Sequence, residues 1–164
     1  MRYVLAVVGL VGLLFYAVPT VSKAHDAGAT SSTGAVQVDG DSAGARAAQF
    51  AIEQVGKPYK WGGTGSGGFD CSGLTLGAWQ QVGVNVPRIS VQQQHWAQSV
   101  SRDNLRVGDL VFSNYSNRNG AGNADHVAIY VGNDTVVTAS GGRGEVVFRS
   151  LSVKGSIIGY GRPA

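Results

Sequence analysis

The sequence contains very little cysteine: among its 164 residues only Cys71 carries a thiol. A single cysteine excludes an intramolecular disulfide, which an exported structural cysteine normally forms. Cys71 is therefore free, paired with another molecule, or used chemically. The three histidines are scattered along the chain and, together with one cysteine, lack the spacing of metal ligands. We expect neither a metal nor another cofactor.

Charged residues are also scarce, at 14% of the chain, and the formal net charge is only +3. No cluster of lysine and arginine is interleaved with aromatic side chains, as a nucleic-acid-binding surface would require. The composition therefore argues against a nucleic-acid partner. A mildly positive charge suits a protein that works near an anionic wall or membrane.

Long apolar runs are missing except at the amino terminus. There, Val4 to Val18 forms a run of about fifteen residues, after Arg2 and before Ser22-Lys23-Ala24. This run is shorter than the roughly twenty residues that span a bilayer. Together with the small residues of a cleavage site, it predicts a signal peptide over 1–24 rather than a retained anchor. We expect export to the periplasm, the cell wall or the medium, with only transient membrane contact.

Residues 25–41 are rich in alanine, serine, threonine and glycine and show no hydrophobic periodicity. This composition predicts a flexible linker. The folded domain is therefore expected over 42–164. Asp41 or Ser42 can cap its first helix. The apolar stripe of that helix would be formed by Ala48, Ile52 and Val55.

Two further helices are predicted in the first half of the domain. One covers 71–82, and its apolar residues fall on several faces, which is typical of a buried central helix. The other is short and covers 91–97. Ser90 and Gln93 have the spacing of a capping box at its start.

The second half of the domain shows short apolar strands between glycine and asparagine turns. The predicted strands are 109–113, 126–131, 135–139, 145–149 and 157–160. Gly132-Asn133-Asp134 has the chemistry of a hairpin turn. Helices followed by antiparallel strands predict an α+β domain with the helices packed on one side of a small sheet.

Cys71 follows a glycine-rich loop and opens the second predicted helix. The unpaired N–H groups of a first helical turn can stabilise a thiolate, and later an oxyanion, and can lower the pKa of the thiol. Glycines before the cysteine let a substrate backbone approach closely. We therefore interpret Cys71 as a nucleophile, the alternative being a buried inert thiol.

A cysteine nucleophile needs a base, and the chain offers His25, His95 and His126. His25 lies in the predicted linker and His95 in a short helix with the character of a rim residue, whereas His126 opens a strand. We assign His126 as the base. Thr138 or Ser140, in the following strand, could accept a hydrogen bond from its second ring nitrogen. Either hydroxyl would be a weak orienting group because it adds no charge beside an imidazolium.

Five successive motifs resemble those of the NlpC family, papain-like cysteine peptidases of the bacterial cell wall. They extend over 45–162 and read Tyr59-Lys60-Trp61-Gly62-Gly63, Phe69-Asp70-Cys71-Ser72-Gly73-Leu74, Pro87-Arg88-Ile89-Ser90-Val91-Gln92-Gln93, Leu105-Arg106-Val107-Gly108-Asp109-Leu110-Val111-Phe112 and His126-Val127-Ala128-Ile129-Tyr130-Val131-Gly132.

The resemblance implies a papain-like fold with the nucleophile Cys71 at the start of the central helix and His126 as its base. The family's third catalytic position usually holds His, Asn or Gln, and here Thr138 occupies it. The residues implied to hold substrate are Tyr59, Trp61, Asp70, Ser72 and Ser90. Some have structural alternatives, because Asp70 and Ser90 are good helix caps, Trp61 could be core and Tyr59 could fix the loop.

The resemblance also implies a function: an exported, monomeric cysteine peptidase whose partner is the peptidoglycan stem peptide. The implied target is the amide between γ-D-glutamate and meso-diaminopimelate. Two alternatives stay open. First, because Thr138 is a weak orienting group, the chain could be a weakly active or non-catalytic peptidoglycan-binding module. A different wall amide could also be cut, as by a lysin, a secretion effector or a conjugation-associated protein.

Overall fold

The computed structural model describes residues 42–151 and 157–164. The predicted signal peptide and linker lie outside the described residues. Within these ranges no helix is both long and apolar enough to cross a membrane. The α-helices among the described residues are α1 (Ala43–Glu53), α2 (Cys71–Gln80) and α3 (Ser90–Trp96), and a short 3-10 helix follows at Arg102–Asn104.

The first helix, α1, begins after Ser42, whose hydroxyl accepts a hydrogen bond from the backbone N–H of Ala45 at 3.2 Å. The buried face of α1 consists of Ala45, Ala47, Ala48 and Ala51. Of the predicted stripe, Ala48 is in the core and Ile52 is partly buried and packs against it, but Val55 lies beyond the helix with 37% of its surface exposed. Because the buried side chains of α1 are small, the helix packs closely against α2.

The main sheet lies after the helices in the chain, as predicted. Its strands are β3 (Gln98–Val100), β4 (Leu110–Ser113), β5 (His126–Gly132), β6 (Thr135–Ser140), β7 (Glu145–Ser150) and β8 (Ile157–Arg162). They pair antiparallel in the order β3-β8-β4-β5-β6-β7. The α+β prediction is confirmed, and only β3, which pairs with β8, was not predicted within this sheet.

A tight hairpin joins β5 to β6. Its turn residues Asn133 and Asp134 have φ values of 49° and 52°. Two consecutive positive φ values define a type I′ turn, whose twist matches that of paired strands. The hairpin returns the chain so that Thr138 on β6 lies beside the start of β5, which fixes the surroundings of His126.

The glycine-rich loop before α2 contains a small hairpin that was not predicted, β1 (Thr64–Gly65) and β2 (Gly68–Phe69). This hairpin packs directly on the start of α2. A side chain at Gly73 would collide with the carbonyl oxygen of Gly63. On its other faces α2 buries Leu74, Ala78 and Trp79 in the core. The Cys71 end of the helix is therefore held by both the loop and the core.

Candidate active site

An open groove of about 590 Å³ lies over the start of α2 and the start of β5. Cys71 and His126 both line it. So do all the residues that the sequence implied would hold substrate, Tyr59, Trp61, Asp70, Ser72 and Ser90. Thr138 is only 1% exposed and contacts His126 from the protein interior. The fold thus gathers residues that are far apart in the sequence into one concave site.

Cys71 is the first residue of α2, and Asp70 caps that helix by accepting a hydrogen bond from the N–H of Gly73 at 2.7 Å. Burial raises the pKa of the Cys71 thiol, and the backbone N–H groups of Val127 and Ser72 only partly oppose this effect. The expected lowering by the helix terminus is therefore outweighed by desolvation. The thiol is protonated at neutral pH, so its activation needs a base.

Thr138 determines which nitrogen of His126 is free. Its Oγ1 lies 3.0 Å from Nε2 of His126 and donates to the carbonyl oxygen of Val127 at 2.9 Å. A hydroxyl has a single proton, so toward His126 it acts as an acceptor. Nε2 therefore carries the ring proton, and Nδ1 keeps a free lone pair. Of the two hydroxyls left open by the sequence, Thr138 makes this contact.

The surroundings of His126 keep its ring neutral. Burial lowers the pKa of His126 to about 4, with Asp125 opposing the shift and the positive charge of Arg149 adding to it. The ring of Tyr115 packs edge-on against the imidazole, with centroids 5.4 Å apart. A neutral imidazole at physiological pH can accept a proton, as a general base must.

Asp70 forms a network that fixes the floor of the groove. Its carboxylate accepts hydrogen bonds from the N–H groups of Gly62 and Gly73 and from the hydroxyl of Ser72. Arg88 binds both carboxylate oxygens, at 2.6 and 3.0 Å, and also donates to Ser72 Oγ at 3.1 Å. Arg88 lies in one of the five motifs, but the sequence alone predicts no role for it. The substrate-binding roles of Asp70 and Ser72 stay predictions.

The capping box predicted at the start of α3 is wrong. The cap residue is Ile89, and no side chain caps the helix. The Ser90 hydroxyl instead donates to the carbonyl oxygen of Ala124 at 3.1 Å. Gln93 is fully buried and donates to the carbonyl oxygen of Ser72 at 3.0 Å. Both side chains take tertiary partners and brace the groove rather than the helix.

Two aromatic residues form one rim of the groove. Trp61 is 75% exposed, which excludes its assignment to the core. The guanidinium carbon of Arg118 lies over its ring, 5.4 Å from the centroid. Burial raises the pKa of Tyr59, the charges of Cys71 and Asp70 raise it further, and the charge of Arg118 lowers it. The ionisation of the Tyr59 phenol is therefore coupled to the charges of both Cys71 and Arg118.

The remaining histidines do not contribute to this groove as far as the structure describes them. His95 is exposed on α3 and does not line it, whereas His25 lies outside the described residues. Among the described residues no group of histidine, cysteine, aspartate and glutamate could hold a metal ion.

A small domain of helices on an antiparallel sheet, with a cysteine at the start of its central helix and a histidine on the facing strand, is typical of papain-like peptidases. The chain belongs to the NlpC/P60 family, whose family model matches residues 56–157. The matched range includes the glycine-rich loop, Cys71, His126 and Thr138.

Three curated relatives are bacterial enzymes. The protein named “Probable endopeptidase Rv2190c” of Mycobacterium tuberculosis is 44% identical over 107 residues, which cover 64% of this chain and 26% of that protein. Murein DD-endopeptidase MepH of Escherichia coli is 40% identical over 105 residues, 62% of this chain and 38% of that protein. Gamma-D-glutamyl-L-lysine dipeptidyl-peptidase of Bacillus cereus is 34% identical over 106 residues, 65% of this chain and 31% of that protein. The chain therefore spans a minor part of the length of these relatives.

A solved structure supports the same fold. The peptidoglycan hydrolase RipB of Mycobacterium tuberculosis superposes with a TM-score of 0.62 at 34% sequence identity, covering 73% of this chain and 64% of that one. The prediction of a papain-like α+β fold is confirmed.

Proposed function

We propose that this chain is an exported cysteine peptidase that hydrolyses amide bonds in the stem peptides of peptidoglycan. The observation that carries the proposal is the shared groove of Cys71 and His126, with Thr138 against Nε2 of the histidine. Membership of the NlpC/P60 family and the endopeptidase names of the relatives support it. The partner is a peptidoglycan stem peptide, and the enzyme acts as a monomer without a metal.

The reaction follows from the protonation states of the two residues. His126 Nδ1 takes the proton of the Cys71 thiol as the sulfur attacks the scissile carbonyl carbon. The backbone N–H of Cys71 stabilises the oxyanion. The imidazolium then protonates the departing amine, and an acyl-thioester remains on Cys71. His126 next activates a water molecule, which releases the acyl half as a carboxylate and restores the thiol.

The target bond in this proposal is the amide between γ-D-glutamate and meso-diaminopimelate. The name of the Bacillus cereus relative includes a γ-D-glutamyl linkage, which favours this bond, whereas MepH is named a DD-endopeptidase. Because both relatives have the same family domain, the identity of the bond must be measured directly.

The test is digestion of purified peptidoglycan and of defined muropeptides, with product masses read by mass spectrometry. Wild type is expected to release fragments that end in γ-D-glutamate and fragments with a new diaminopimelate amine. Cys71→Ala should release neither. Masses that correspond to a different amide would reassign the bond and retain the enzyme class.

A non-catalytic peptidoglycan-binding module is the second candidate. Two observations favour it: Thr138 is a neutral orienting group, and burial raises the pKa of the Cys71 thiol. This candidate predicts that wild type and Cys71→Ala sediment equally with insoluble peptidoglycan and that neither releases peptide. Release by wild type alone excludes it.

Export is part of the proposal and has its own test. Residues 1–24 would act as a cleaved signal peptide, so the secreted protein should start near His25. Amino-terminal sequencing of the protein recovered outside the cytoplasm checks this expectation. An intact Met1 on the recovered protein would instead indicate a retained anchor.

A further inference from the structure

The groove rim carries an arginine that neither the motifs nor the proposed reaction uses. Arg118 lies in the loop between β4 and β5, lines the groove, and extends over the ring of Trp61. A guanidinium held over an aromatic face keeps its N–H donors at its edges, where they can still bind a planar anion. Trp61 therefore positions the Arg118 guanidinium and leaves its N–H donors available for a ligand.

The other charged side chains of the groove have hydrogen-bond partners. The Arg88 guanidinium is bound to Asp70 by two hydrogen bonds. The Asp125 carboxylate accepts the backbone N–H groups of Tyr115 and Ser116. The ion pairs found among the described residues do not include Arg118. An arginine outside these ion pairs, at the edge of a groove, can bind an anionic group of the ligand.

The location of this charge relative to the thiol suggests which anion it meets. Arg118 and Cys71 line the same groove, so a ligand group close to the scissile carbonyl can meet the arginine. A glutamate linked through its γ-carboxyl keeps a free α-carboxylate a few bonds away from its own scissile carbonyl.

We propose that Arg118, held over Trp61, is a specificity-determining residue that binds the free α-carboxylate of the γ-linked glutamate in the acyl half of the substrate. This inference rests on the proposed function and adds the group that selects the substrate. The inference predicts that the enzyme distinguishes two stem peptides: one with a free α-carboxylate, and one in which the same group is a carboxamide.

The test compares kcat/KM on two matched muropeptides that differ only in this carboxylate or carboxamide. Wild type is expected to prefer the carboxylate by about tenfold or more, as for a charge-assisted bidentate contact. Arg118→Gln should bring the ratio close to one. Arg118→Lys should give an intermediate ratio, because lysine keeps the charge but loses the planar fork. The matched control is Arg106→Gln, at an exposed position outside the groove, which should keep the wild-type ratio.

Binding measurements separate this inference from the proposed reaction. The affinities of both muropeptides for Cys71→Ala, with and without Arg118→Gln, are measured by calorimetry. Carboxylate preference in Cys71→Ala that disappears with Arg118→Gln supports the inference even if wild type hydrolyses neither compound. Equal affinity for both muropeptides, or a preference that survives Arg118→Gln, overturns it whatever the activity of the wild type.

Discussion

Thr138 orients the imidazole ring of His126 but places no charge beside it. The hydroxyl fixes the tautomer, because its only proton is committed to the Val127 carbonyl oxygen. It cannot stabilise the imidazolium of the proposed reaction as a carboxylate would. The thiol and the imidazole are both neutral at neutral pH, so in the proposed reaction Cys71 loses its proton in the same step in which it attacks.

Removal of this hydroxyl should therefore weaken catalysis rather than binding. We expect Thr138→Val, which keeps the side-chain shape, to lower kcat about tenfold with little change in KM, because the imidazole loses its preferred tautomer. Thr138→Ser should keep most of the activity. Steady-state kinetics on a defined muropeptide measures both.

Ser140 provides the control for this prediction, since it lies two residues further along the same strand. Ser140→Ala should retain the wild-type kcat. Full activity in Thr138→Val together with a loss in Ser140→Ala would show that the other hydroxyl orients the base. Thermal unfolding of each variant excludes misfolding as the cause.

The pH dependence of kcat/KM should reflect the buried state of His126. Its pKa is lowered to about 4, so the imidazole is neutral above that pH and becomes protonated as the pH falls through it. Activity should therefore persist at pH 5 to 6, where an unperturbed histidine with a pKa near 6.5 would already be largely protonated. An acid limb centred near 6.5 would contradict this assignment.

Residue types and their positions singled out Cys71, the only cysteine of the chain, and His126, the one of three histidines that opens a predicted strand. The same reasoning could not find Arg88 or Arg118. Their roles depend on partners far away in sequence, the Asp70 carboxylate and the Trp61 ring, which only the folded chain brings close. The motif that contains Arg88 marked this segment as part of the site, but the spacing of the motif does not indicate which residue the arginine contacts.

At the scale of elements, the contact between the glycine-rich loop and α2 positions Cys71, the proposed nucleophile. Gly73 lies against the Gly63 carbonyl oxygen with no room for a side chain. We expect Gly73→Ala to displace the loop, to lower activity at least tenfold, and to reduce the free energy of unfolding by about 2 kcal/mol through overpacking. Urea unfolding and turnover measure the two effects.

Gly77 is the matched control on the same helix. A methyl group there would lie 3.5 Å from the Phe50 ring, which is ordinary van der Waals contact. Gly77→Ala should therefore be neutral or stabilising by up to about 1 kcal/mol, because alanine has the higher helix propensity. If the two alanine variants behave alike, the proposed contact between loop and helix does not position Cys71.

The order of helices and strands followed from periodicity, and the β5–β6 hairpin followed from its turn residues. Other features were missed or wrongly predicted, for physical reasons. The hairpin of β1 and β2 has two-residue strands and β3 has three residues, too few to show any clear alternation. The capping box failed because Ser90 and Gln93 are buried, and tertiary partners satisfy their side chains better than the local helix end does.

At the scale of the whole molecule, one ion pair joins the last strand to the centre of the sheet. Arg162 on β8 binds both carboxylate oxygens of Asp109, at 2.8 and 2.7 Å, and Asp109 is 2% exposed. Arg162→Met should leave that carboxylate buried without its cation. We expect the free energy of unfolding to fall by about 3 kcal/mol, as measured by urea denaturation.

An exposed ion pair of the same domain is the control for this effect. Arg102 contacts Asp134 at 3.3 Å, and both side chains are more than half exposed. Arg102→Met should change the free energy of unfolding by less than about 1 kcal/mol, because solvent screens the pair. Equal losses in the two variants would mean that burial does not distinguish them.

The central claim is that Cys71 forms a covalent acyl intermediate with the stem peptide. The most direct measurement is acid quenching during turnover of a defined muropeptide, followed by mass spectrometry of the protein and of its Cys71-containing fragment. We predict a mass increase that equals the acyl half ending in γ-D-glutamate, located on Cys71 and missing in Cys71→Ala. Cleavage of the same muropeptide by Cys71→Ala at the wild-type rate would contradict the claim.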